Sequence, residues 1–365
     1  MTDTTLVIEF VRMAHGADAV GHLDTGKVVL ARGAAPGDRA RIRILREHRS
    51  YVEAELVEIV APGPGRREAP CAHITSDECG GCPWQHLTES VQQKEKQALV
   101  AREVQRIDPD ASVREIRTDI PPFGYRRRTR FGHNGRRLGY RQRGVQKIFD
   151  LVSCPVLDPR IDRELDGIRS AVAARPSGNI DVMVDAAGDV HVGGPAATFL
   201  QPSAVAETIL SELVLEAIPS SAKTVVELFA GAGTFTRPLV QRGHDVRAWE
   251  VDRRSVQALR KRLPAIRVER LDLLRPKQKI DLGRADAVLL DPPRKGAFAC
   301  IESIVDTKAD TICYVSCDPM TLCRDLDALG AAGYQIQWVQ PVDAFPQTQH
   351  VECVVSLQRS ALQEH

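Results

Sequence analysis

Apolar and polar residues alternate over short stretches of the first 60 residues, as they do in half-buried β-strands. Residues 5–10 and 51–60, for example, are rich in strand-forming side chains, and glycine and proline mark the turns between such segments. Four or five strands in so short a segment predict a small β-barrel of the oligonucleotide-binding type at residues 1–62. Nucleic-acid binding does not follow from that fold alone.

The pattern changes beyond a linker rich in proline and glycine at residues 62–67. Residues 89–107 have the apolar spacing of an amphipathic helix. We interpret it as an ordinary packing helix with no chemical role and expect it to lie against the C-terminal domain. Strand-like segments follow at 123–157 and 178–200, so residues 63–205 are predicted to form a central α+β domain.

From residue 222 onward, short apolar strands alternate with helices, which is the pattern of a parallel α/β sheet. The last two apolar segments, 335–339 and 351–357, predict a closing hairpin. Residues 206–365 are therefore predicted to form a Rossmann-like α/β domain, and the chain as a whole to be multi-domain.

Composition narrows the functional classes. The net charge of +1 over 365 residues is not that of a strongly basic nucleic-acid binder. No apolar run approaches the ~18 residues of a membrane span, and the N-terminus lacks the pattern of a signal peptide. Nine cysteines without a secretion signal indicate metal binding or catalysis before disulfides. We expect a cytoplasmic monomer that does not bind membranes.

Four cysteines form a candidate metal site: Cys71, Cys79, Cys82 and Cys154. Four thiolates suit either Zn²⁺ or a [4Fe–4S] cluster. Zinc ribbons usually supply two Cys-x2-Cys pairs, and Cys154 has no partner two residues away, which favours the iron–sulfur cluster. The alternative is that some of these residues are free cysteines.

An arginine block lies on the predicted central strands. Its first members are Arg126, Arg127, Arg128 and Arg130, and Arg136, Arg137, Arg141, Arg143 and Lys147 extend it. Clustered arginines bind phosphate backbones well, so the block is a candidate RNA-binding surface. A solvated strand face is the alternative.

A glycine-containing loop lies between the first strand and the first helix of the predicted parallel sheet. Gly231 and Gly233 let the backbone approach a ligand, but Thr236 stands where a dinucleotide fingerprint needs a third glycine. An adenosine ligand without phosphates fits better. The candidate residues for S-adenosylmethionine in this part of the chain are Glu227, Gly231, Gly233, Glu250, Asp272 and Asp291. A tight turn without a ligand is the alternative.

Cys317 follows a strand that breaks at Ser316, and a helix begins just beyond it. Open α/β sheets place their ligands at that edge. The neighbouring helix N-terminus is expected to favour the nucleophilic thiolate. The alternative from these residues alone is a buried, inert cysteine.

Together these motifs resemble the RNA 5-methyluridine (uracil-C5) methyltransferases, over nearly the whole chain. The matching segments are Phe199-Leu-Gln-Pro-Ser, Leu228-Phe-Ala-Gly-Ala-Gly-Thr, Asp291-Pro-Pro-Arg, Ser316-Cys-Asp-Pro and Phe345-Pro-Gln-Thr-Gln-His-Val-Glu. Ser203 and Glu227 depart from the usual asparagine and aspartate, and the interval from Cys71 to Cys79 is longer than usual.

The resemblance implies an N-terminal TRAM domain, a class I methyltransferase fold and an iron–sulfur cluster on the four cysteines. It also implies cofactor contacts from Gln201 and Phe229. Cys317 would add to uracil C6, and Glu352 would remove the H5 proton after methylation. Taken alone, Glu352 would be a solvated strand residue.

The expected substrate is a uridine of 23S ribosomal RNA, with the T-loop of transfer RNA as the alternative. Two other hypotheses remain. Asp291-Pro-Pro also resembles the tetrad of amino-directed nucleic-acid methyltransferases, which need no cysteine nucleophile. A non-catalytic RNA-binding protein with a zinc knuckle would instead hold zinc and bind no cofactor.

Overall fold

The computed structural model describes residues 5–75, 79–135, 137–142, 145, 147–193, 201–276 and 279–360. Arg136, Arg143 and Phe199, which belong to the predicted arginine block and cofactor segment, lie outside these residues. Within the described ranges, no helix combines the length and the apolar composition needed to cross a membrane.

The N-terminal strands close into a barrel, which confirms the first prediction. Its strands are β1 (Thr5–Met13), β2 (Asp18–His22), β3 (Val28–Arg32), β4 (Arg39–Glu47) and β5 (Tyr51–Ala61). Alternation places Phe10, Ile42 and Val52 inside, each fully buried. β1 pairs with both β2 and β4, so the barrel has no free edge strand.

The central region contains two short helical turns, two longer helices and a four-stranded sheet in the order β7-β6-β8-β9. Its elements are α1 (Ala72–Thr75), α2 (Glu89–Ile107), β6 (Arg128–His133), β7 (Leu138–Gly139), α3 (Pro159–Arg163), α4 (Leu165–Val172), β8 (Gly178–Val184) and β9 (Val190–Val192). Phe131, Ile161 and Val182 belong to the apolar core between this sheet and the helices α3 and α4.

The C-terminal region is a seven-stranded sheet in the order β12-β11-β10-β13-β14-β16-β15. Its elements are α5 (Ala204–Ala217), β10 (Thr224–Leu228), α6 (Thr236–Gln241), β11 (Asp245–Glu250), α7 (Arg253–Arg262), β12 (Arg267–Arg270), β13 (Ala287–Leu290), α8 (Ile301–Asp306), β14 (Thr311–Ser316), α9 (Pro319–Ala331), β15 (Tyr334–Val342) and β16 (Glu352–Arg359). The first five strands are parallel, and the predicted hairpin β15/β16 adds two antiparallel strands beside β14.

Helix α5 begins at Ala204, two residues before the boundary predicted at 206, because Ser203 caps it. The Ser203 hydroxyl accepts a hydrogen bond from the Ala206 amide at 3.3 Å.

The three regions share apolar cores and polar contacts. Val100 and Val104 of α2 pack into the core on one face of the large sheet, whereas Cys82 and Tyr125 join the core on the other face. The barrel is attached through its β1 end, since the Met13 amide donates to the Glu95 carboxylate on α2 at 2.7 Å. The central region is therefore built into the large sheet on both faces.

Candidate active site

The carboxyl ends of the parallel strands bring the predicted acids and the cysteine to one edge of the large sheet. Glu250 ends β11, Asp291 follows β13, and Cys317 follows β14. Antiparallel β16 begins at the same edge with Glu352. Such an edge is where open α/β sheets bind their ligands.

The strand register brings Cys317 and Glu352 close together. The last pair of the antiparallel β14/β16 ladder joins Ser316 to Cys353; Cys317 directly follows Ser316, and Glu352 directly precedes Cys353. Continuing that register would set the two residues opposite each other, where side chains project to the same face. Consistent with this, the Glu352 carboxylate contributes to raising the pKa of the Cys317 thiol.

The surroundings of Cys317 oppose the expected effect of the helix N-terminus on its thiol. Burial and the carboxylates of Glu352 and Asp291 raise the pKa of the half-buried Cys317 thiol to about 12. The N-terminus of α9 is already engaged, because the Asp318 side chain accepts from the Met320 and Thr321 amides. The guanidinium of Arg294 opposes the rise by lowering the pKa of Cys317.

Three carboxyl groups at this edge hold protons to unusually high pH. Burial raises the pKa of Glu352 to about 8, of Glu227 to about 8 and of Asp291 to about 7, and in each case neighbouring carboxylates add to the effect. Glu227 Oε2 is buried and has no hydrogen-bond partner among the described residues. Such a group is suited to a cationic ligand, which would supply both a donor and a countercharge.

The loop after β10 has the backbone geometry of a ligand cradle. Phe229, Gly231 and Gly233 all have left-handed φ angles, of 62°, 57° and 89°. The φ angle of Gly233 strains any residue with a side chain, and a Cβ there would also lie 2.4 Å from Leu259 Cδ1, which would have to move. The Gly231 amide donates to Glu250 Oε2 at 2.8 Å, which fixes the loop against the end of β11.

Beyond Glu250, an open cleft carries the remaining predicted acid. Exposed Asp272 lines it together with Val251 and Leu271, and its volume of about 690 Å³ lies within the range of small-ligand sites. Gln201 lies in the segment before α5, where its carbonyl accepts from Arg127 Nε at 3.2 Å. The described contacts of Gln201 do not include the glycine loop.

The loop that leads into Glu352 is held by α2, which therefore does more than pack its apolar face on the large sheet. Lys96 and Gln92 are buried and bind residues 343–347 of that loop. The sequence analysis missed both. The sequence did contain a signal for them. Lys96 and Gln92 lie four and eight residues before Val100, so all three share the buried face of α2.

The arginine block divides into paired and cleft-lining residues. Arg127 is bound to Glu207 at 2.7 Å, and Arg130 forms a bidentate pair with Asp181 at 2.9 Å. Arg126, Arg128 and Arg130 line an open cleft with Arg254 of α7. Arg126 Nε is buried and has no hydrogen-bond partner within the described part of the chain.

Arg126 also lies near the four candidate ligand cysteines. Its amide donates to the Val156 carbonyl at 2.9 Å, beside the turn that begins at Cys154. Burial raises the pKa of Cys82 to about 11 and of Cys154 to about 12; Arg126 lowers the pKa of Cys82 and nearby thiols raise both values. These groups therefore lie within electrostatic reach of one another.

The cysteines are all unbridged thiols. Gly81 donates its amide to Cys79 Sγ at 3.4 Å, as backbone groups do around thiolate-bound clusters. In the ranges that the structure describes, no group of three or more potential ligands is arranged to hold a metal ion. The cluster therefore stays a prediction.

Comparisons with known proteins agree with this architecture. Residues 274–360 match the family described as tRNA (uracil-5-)-methyltransferase, and residues 4–57 match the TRAM domain. A 23S rRNA (uracil(1939)-C(5))-methyltransferase RlmD of Pseudomonas putida is 30% identical, over 95% of this chain and 92% of the relative. The enzyme of that name from Thiobacillus denitrificans is 28% identical, over 97% of this chain and 99% of the relative.

The chain is also similar over nearly its whole length to a solved structure. It is the Pyrococcus abyssi tRNA (uracil-54, C5)-methyltransferase in complex with S-adenosyl-L-homocysteine, with a TM-score of 0.72 and 20% identity. The similarity covers 96% of this chain and 99% of that one. At this identity it supports the fold alone, from the barrel to the α/β sheet.

Proposed function

The chain belongs to the RNA (uracil-5-)-methyltransferase family, and on that premise we propose that it methylates C5 of a uridine in 23S ribosomal RNA. S-adenosylmethionine would be the methyl donor, and the reaction would take place in the cytoplasm. The observation that carries the proposal is the placement of Cys317 opposite Glu352, at the sheet edge that also presents the glycine loop.

Cys317 would begin the reaction as the nucleophile. Its sulfur bonds to uracil C6, and the ring electrons move to C5 and the C4 carbonyl as an enolate. Burial makes the thiolate costly in the free protein, so Arg294, which lowers the pKa of Cys317, is the chain's own aid to its ionisation. Addition makes C5 nucleophilic, and bound S-adenosylmethionine supplies the methyl group that C5 takes.

Glu352 would complete the reaction as the base. The methylated adduct still carries H5, and the carboxylate removes this proton while the C6–sulfur bond breaks and Cys317 leaves as a thiolate. Because its pKa is raised to about 8, the ionised Glu352 is a stronger base than an ordinary glutamate. Asp291 contributes to that rise and also to the raised pKa of Cys317, so it acts on both catalytic groups.

The acids at the strand ends would hold the donor. Glu227 Oε2 would accept a hydrogen bond from its ammonium group, since that oxygen is buried without a partner among the described residues. Glu250 would accept from the ribose hydroxyls and Asp272 from the adenine edge. Gln201 and Phe229 are proposed as further contacts by analogy with the family.

We also propose a [4Fe–4S] cluster on Cys71, Cys79, Cys82 and Cys154. The donor set consists of soft thiols, and the buried Nε of half-buried Arg126 has no hydrogen-bond partner among the described residues, so an anionic group beside it would offset the cost of its desolvation. Arg126 would supply a positive charge to a thiolate-bound cluster, whose net charge is negative. Arg126 also lines the arginine cleft, so this role would add to the contact with RNA that the sequence suggested for it.

The cleft lined by Arg128, Arg130 and Arg254 is the proposed path for the RNA backbone. A target uridine must leave its stack to reach Cys317, at a cost of a few kcal/mol that phosphate contacts would offset. Transfer RNA remains the second candidate substrate. It is supported by the description of the matched family as tRNA (uracil-5-)-methyltransferase.

The test compares Cys317→Ala with Glu352→Gln on RNA from cells that lack the protein. Cys317→Ala should lose methylation by at least ~10³-fold and form no adduct. Glu352→Gln should accumulate an RNA–protein adduct that survives a denaturing gel. Cys323→Ser, a substitution at a buried cysteine of α9, is the control and should retain activity. Near-normal methylation by Cys317→Ala would support an amino-directed methyltransferase instead.

A further inference from the structure

The loop between β15 and β16 is anchored from outside its own domain. Residues 343–351 connect the two strands, and Val342 pairs with Glu352 where the loop closes. The backbone position of Glu352 therefore depends on the conformation of this loop. The anchors come from α2, a helix of the central region that precedes the loop by some 250 residues in sequence.

Lys96 forms the first anchor. Its side chain is 0% exposed, and Nζ donates to Asp343 Oδ1 at 2.5 Å and to the Phe345 carbonyl at 3.0 Å. Nζ also lies 5.9 Å from the centre of the Trp84 ring. Burial lowers the pKa of Lys96, and Asp343 opposes that effect. A buried ion pair of this kind stabilises little by itself but fixes geometry, because losing either partner leaves a buried charge unpaired.

Gln92 forms the second anchor, one helical turn earlier. Its Oε1 accepts from the Gln347 amide at 2.8 Å, and its Nε2 donates to Gln347 Oε1 at 2.9 Å. Gln347 is fully buried with a φ of 71°, a left-handed conformation that costs about 1–3 kcal/mol outside glycine. The strained residue persists because side chains around it hold both its amide and its side chain.

Other partners complete this support. Arg67 donates to Gln347 Oε1 at 2.8 Å, and the Trp84 amide donates to the Gln347 carbonyl at 3.1 Å. The Tyr125 hydroxyl donates to the Pro346 carbonyl at 3.1 Å. The loop is therefore bound on several sides by the central region, while Cys317 lies on a separate segment between β14 and α9.

We propose that Lys96 and Gln92 are positioning residues for the general base, fixing the 343–351 loop so that Glu352 faces Cys317. The inference rests on the proposed function and deepens it. Neither side chain is among the contacts of Cys317 or of the glycine loop in the described structure. The two residues therefore act on proton removal from the methylated adduct and not on thiol addition or cofactor binding.

The test is Lys96→Met with Lys94→Met as the matched control. Both lysines lie on α2, but Lys94 is exposed and Lys96 is buried. Lys96→Met leaves the Asp343 carboxyl buried without its partner, which destabilises the fold. The double variant Lys96→Met/Asp343→Asn removes both charges and therefore tests the same contact without a buried unpaired charge. Single-turnover reactions with labelled RNA are followed on denaturing gels for adduct and by mass spectrometry for released 5-methyluridine. S-adenosylmethionine affinity and melting temperature are measured alongside.

The expected result is a product release at least ~10-fold slower, with accumulated methylated adduct and unchanged cofactor affinity, in either buried-site variant. Lys94→Met should match the parent. Release at the parental rate in both buried-site variants overturns the inference, and so does loss of all activity without adduct. Glu352→Gln, assayed in parallel, distinguishes failure of the inference from failure of the proposed function. If neither the buried-site variants nor Glu352→Gln accumulate adduct, the proposed mechanism fails. If Glu352→Gln accumulates adduct and the buried-site variants do not, only the positioning role fails.

Discussion

Asp291 and Glu352 flank strand β14 from either side, and the carboxylate of Asp291 adds to burial in raising the pKa of Glu352 to about 8. Glu227, at the next strand on the Asp291 side, is raised to about 8 as well, mainly by burial. Three acids sharing one dry edge disfavour full ionisation. In the free protein these carboxylates therefore repel one another when they ionise, and a cationic ligand would reduce that repulsion.

The first prediction concerns stability against pH. Glu352 ionises near pH 4.5 when unfolded but near pH 8 when folded, so the native state holds more protons between those values. Stability from this group is fully present below about pH 4.5 and is lost as the pH rises towards 8. Glu352→Gln should remove this loss and stabilise the free protein at pH 8 by about 1–4 kcal/mol relative to the parent.

Urea unfolding at pH 5 and pH 8 measures the effect. The gain from Glu352→Gln should be larger at pH 8 than at pH 5, and exposed Glu68 substituted by Gln should give no such difference. Equal effects of Glu352→Gln at the two pH values would contradict a raised pKa.

Much of this site could be predicted from the sequence because its segments are contiguous and positioned by strand ends. The glycine loop, Asp291-Pro-Pro and Ser316-Cys317 each follow a buried apolar strand, and parallel strands end at one edge. The protonation state of Cys317 could not be predicted in this way. Its pKa depends first on burial and then on Glu352 and Asp291, which the order of strands in the sheet brings near the thiol.

The roles of α2 and Arg126 were hidden for a similar reason. Lys96 and Gln92 sit on the buried face of a helix that looked amphipathic, and polar residues there are assigned to the solvent unless the partner is known. Arg126 and Arg130 are four residues apart in one basic stretch, yet one is directed inward and the other is exposed and paired with Asp181. Strand alternation would put both residues on one face, but Arg126 precedes β6, which begins at Arg128. The packing of that preceding segment beside the cysteines buries the Arg126 Nε, and the charge pattern does not show this packing.

The second prediction concerns cofactor binding. Glu227→Gln should weaken both S-adenosylmethionine and S-adenosylhomocysteine by ~10–100-fold, since both carry the ammonium group that the orphaned Oε2 would bind. Asp245→Asn is the control, because Asp245 begins β11 at the opposite edge of the sheet and is exposed. Calorimetric titration distinguishes them. Parental affinity in Glu227→Gln would assign the buried carboxyl a purely structural role.

The third prediction concerns the cysteines of the central region. Anaerobically purified protein should be brown, absorb near ~400 nm and contain iron and sulfide. Cys154→Ser should lose the absorbance, and Arg126→Met should retain less cluster and lower its reduction potential, because a positive charge beside the cluster favours the reduced, more negative state. Arg163→Met, at an exposed arginine of α3, should leave both unchanged.

The melting temperature of Arg126→Met also distinguishes a protein that holds a cluster from one that does not. Without a cluster, Arg126→Met removes a half-buried charge whose Nε has no partner among the described residues, and should raise the melting temperature. A colourless, iron-free protein that Arg126→Met stabilises would refute the cluster. Zinc in stoichiometric amount would instead favour the zinc-knuckle alternative.

The last prediction identifies the RNA. Total RNA from cells with and without the gene is separated into ribosomal and transfer fractions, digested and analysed by mass spectrometry for 5-methyluridine. We expect one modified nucleoside to disappear from a 23S ribosomal RNA fragment and to return with the parental gene but not with Cys317→Ala. Arg254→Met, which changes the basic cleft but not the catalytic edge, should restore it less efficiently and with a shallower salt dependence of RNA binding. Loss confined to the T-loop of transfer RNA would keep the chemistry of Cys317 and Glu352 and reassign the substrate, because the catalytic edge recognises uracil whereas the arginine cleft and the barrel meet the surrounding RNA.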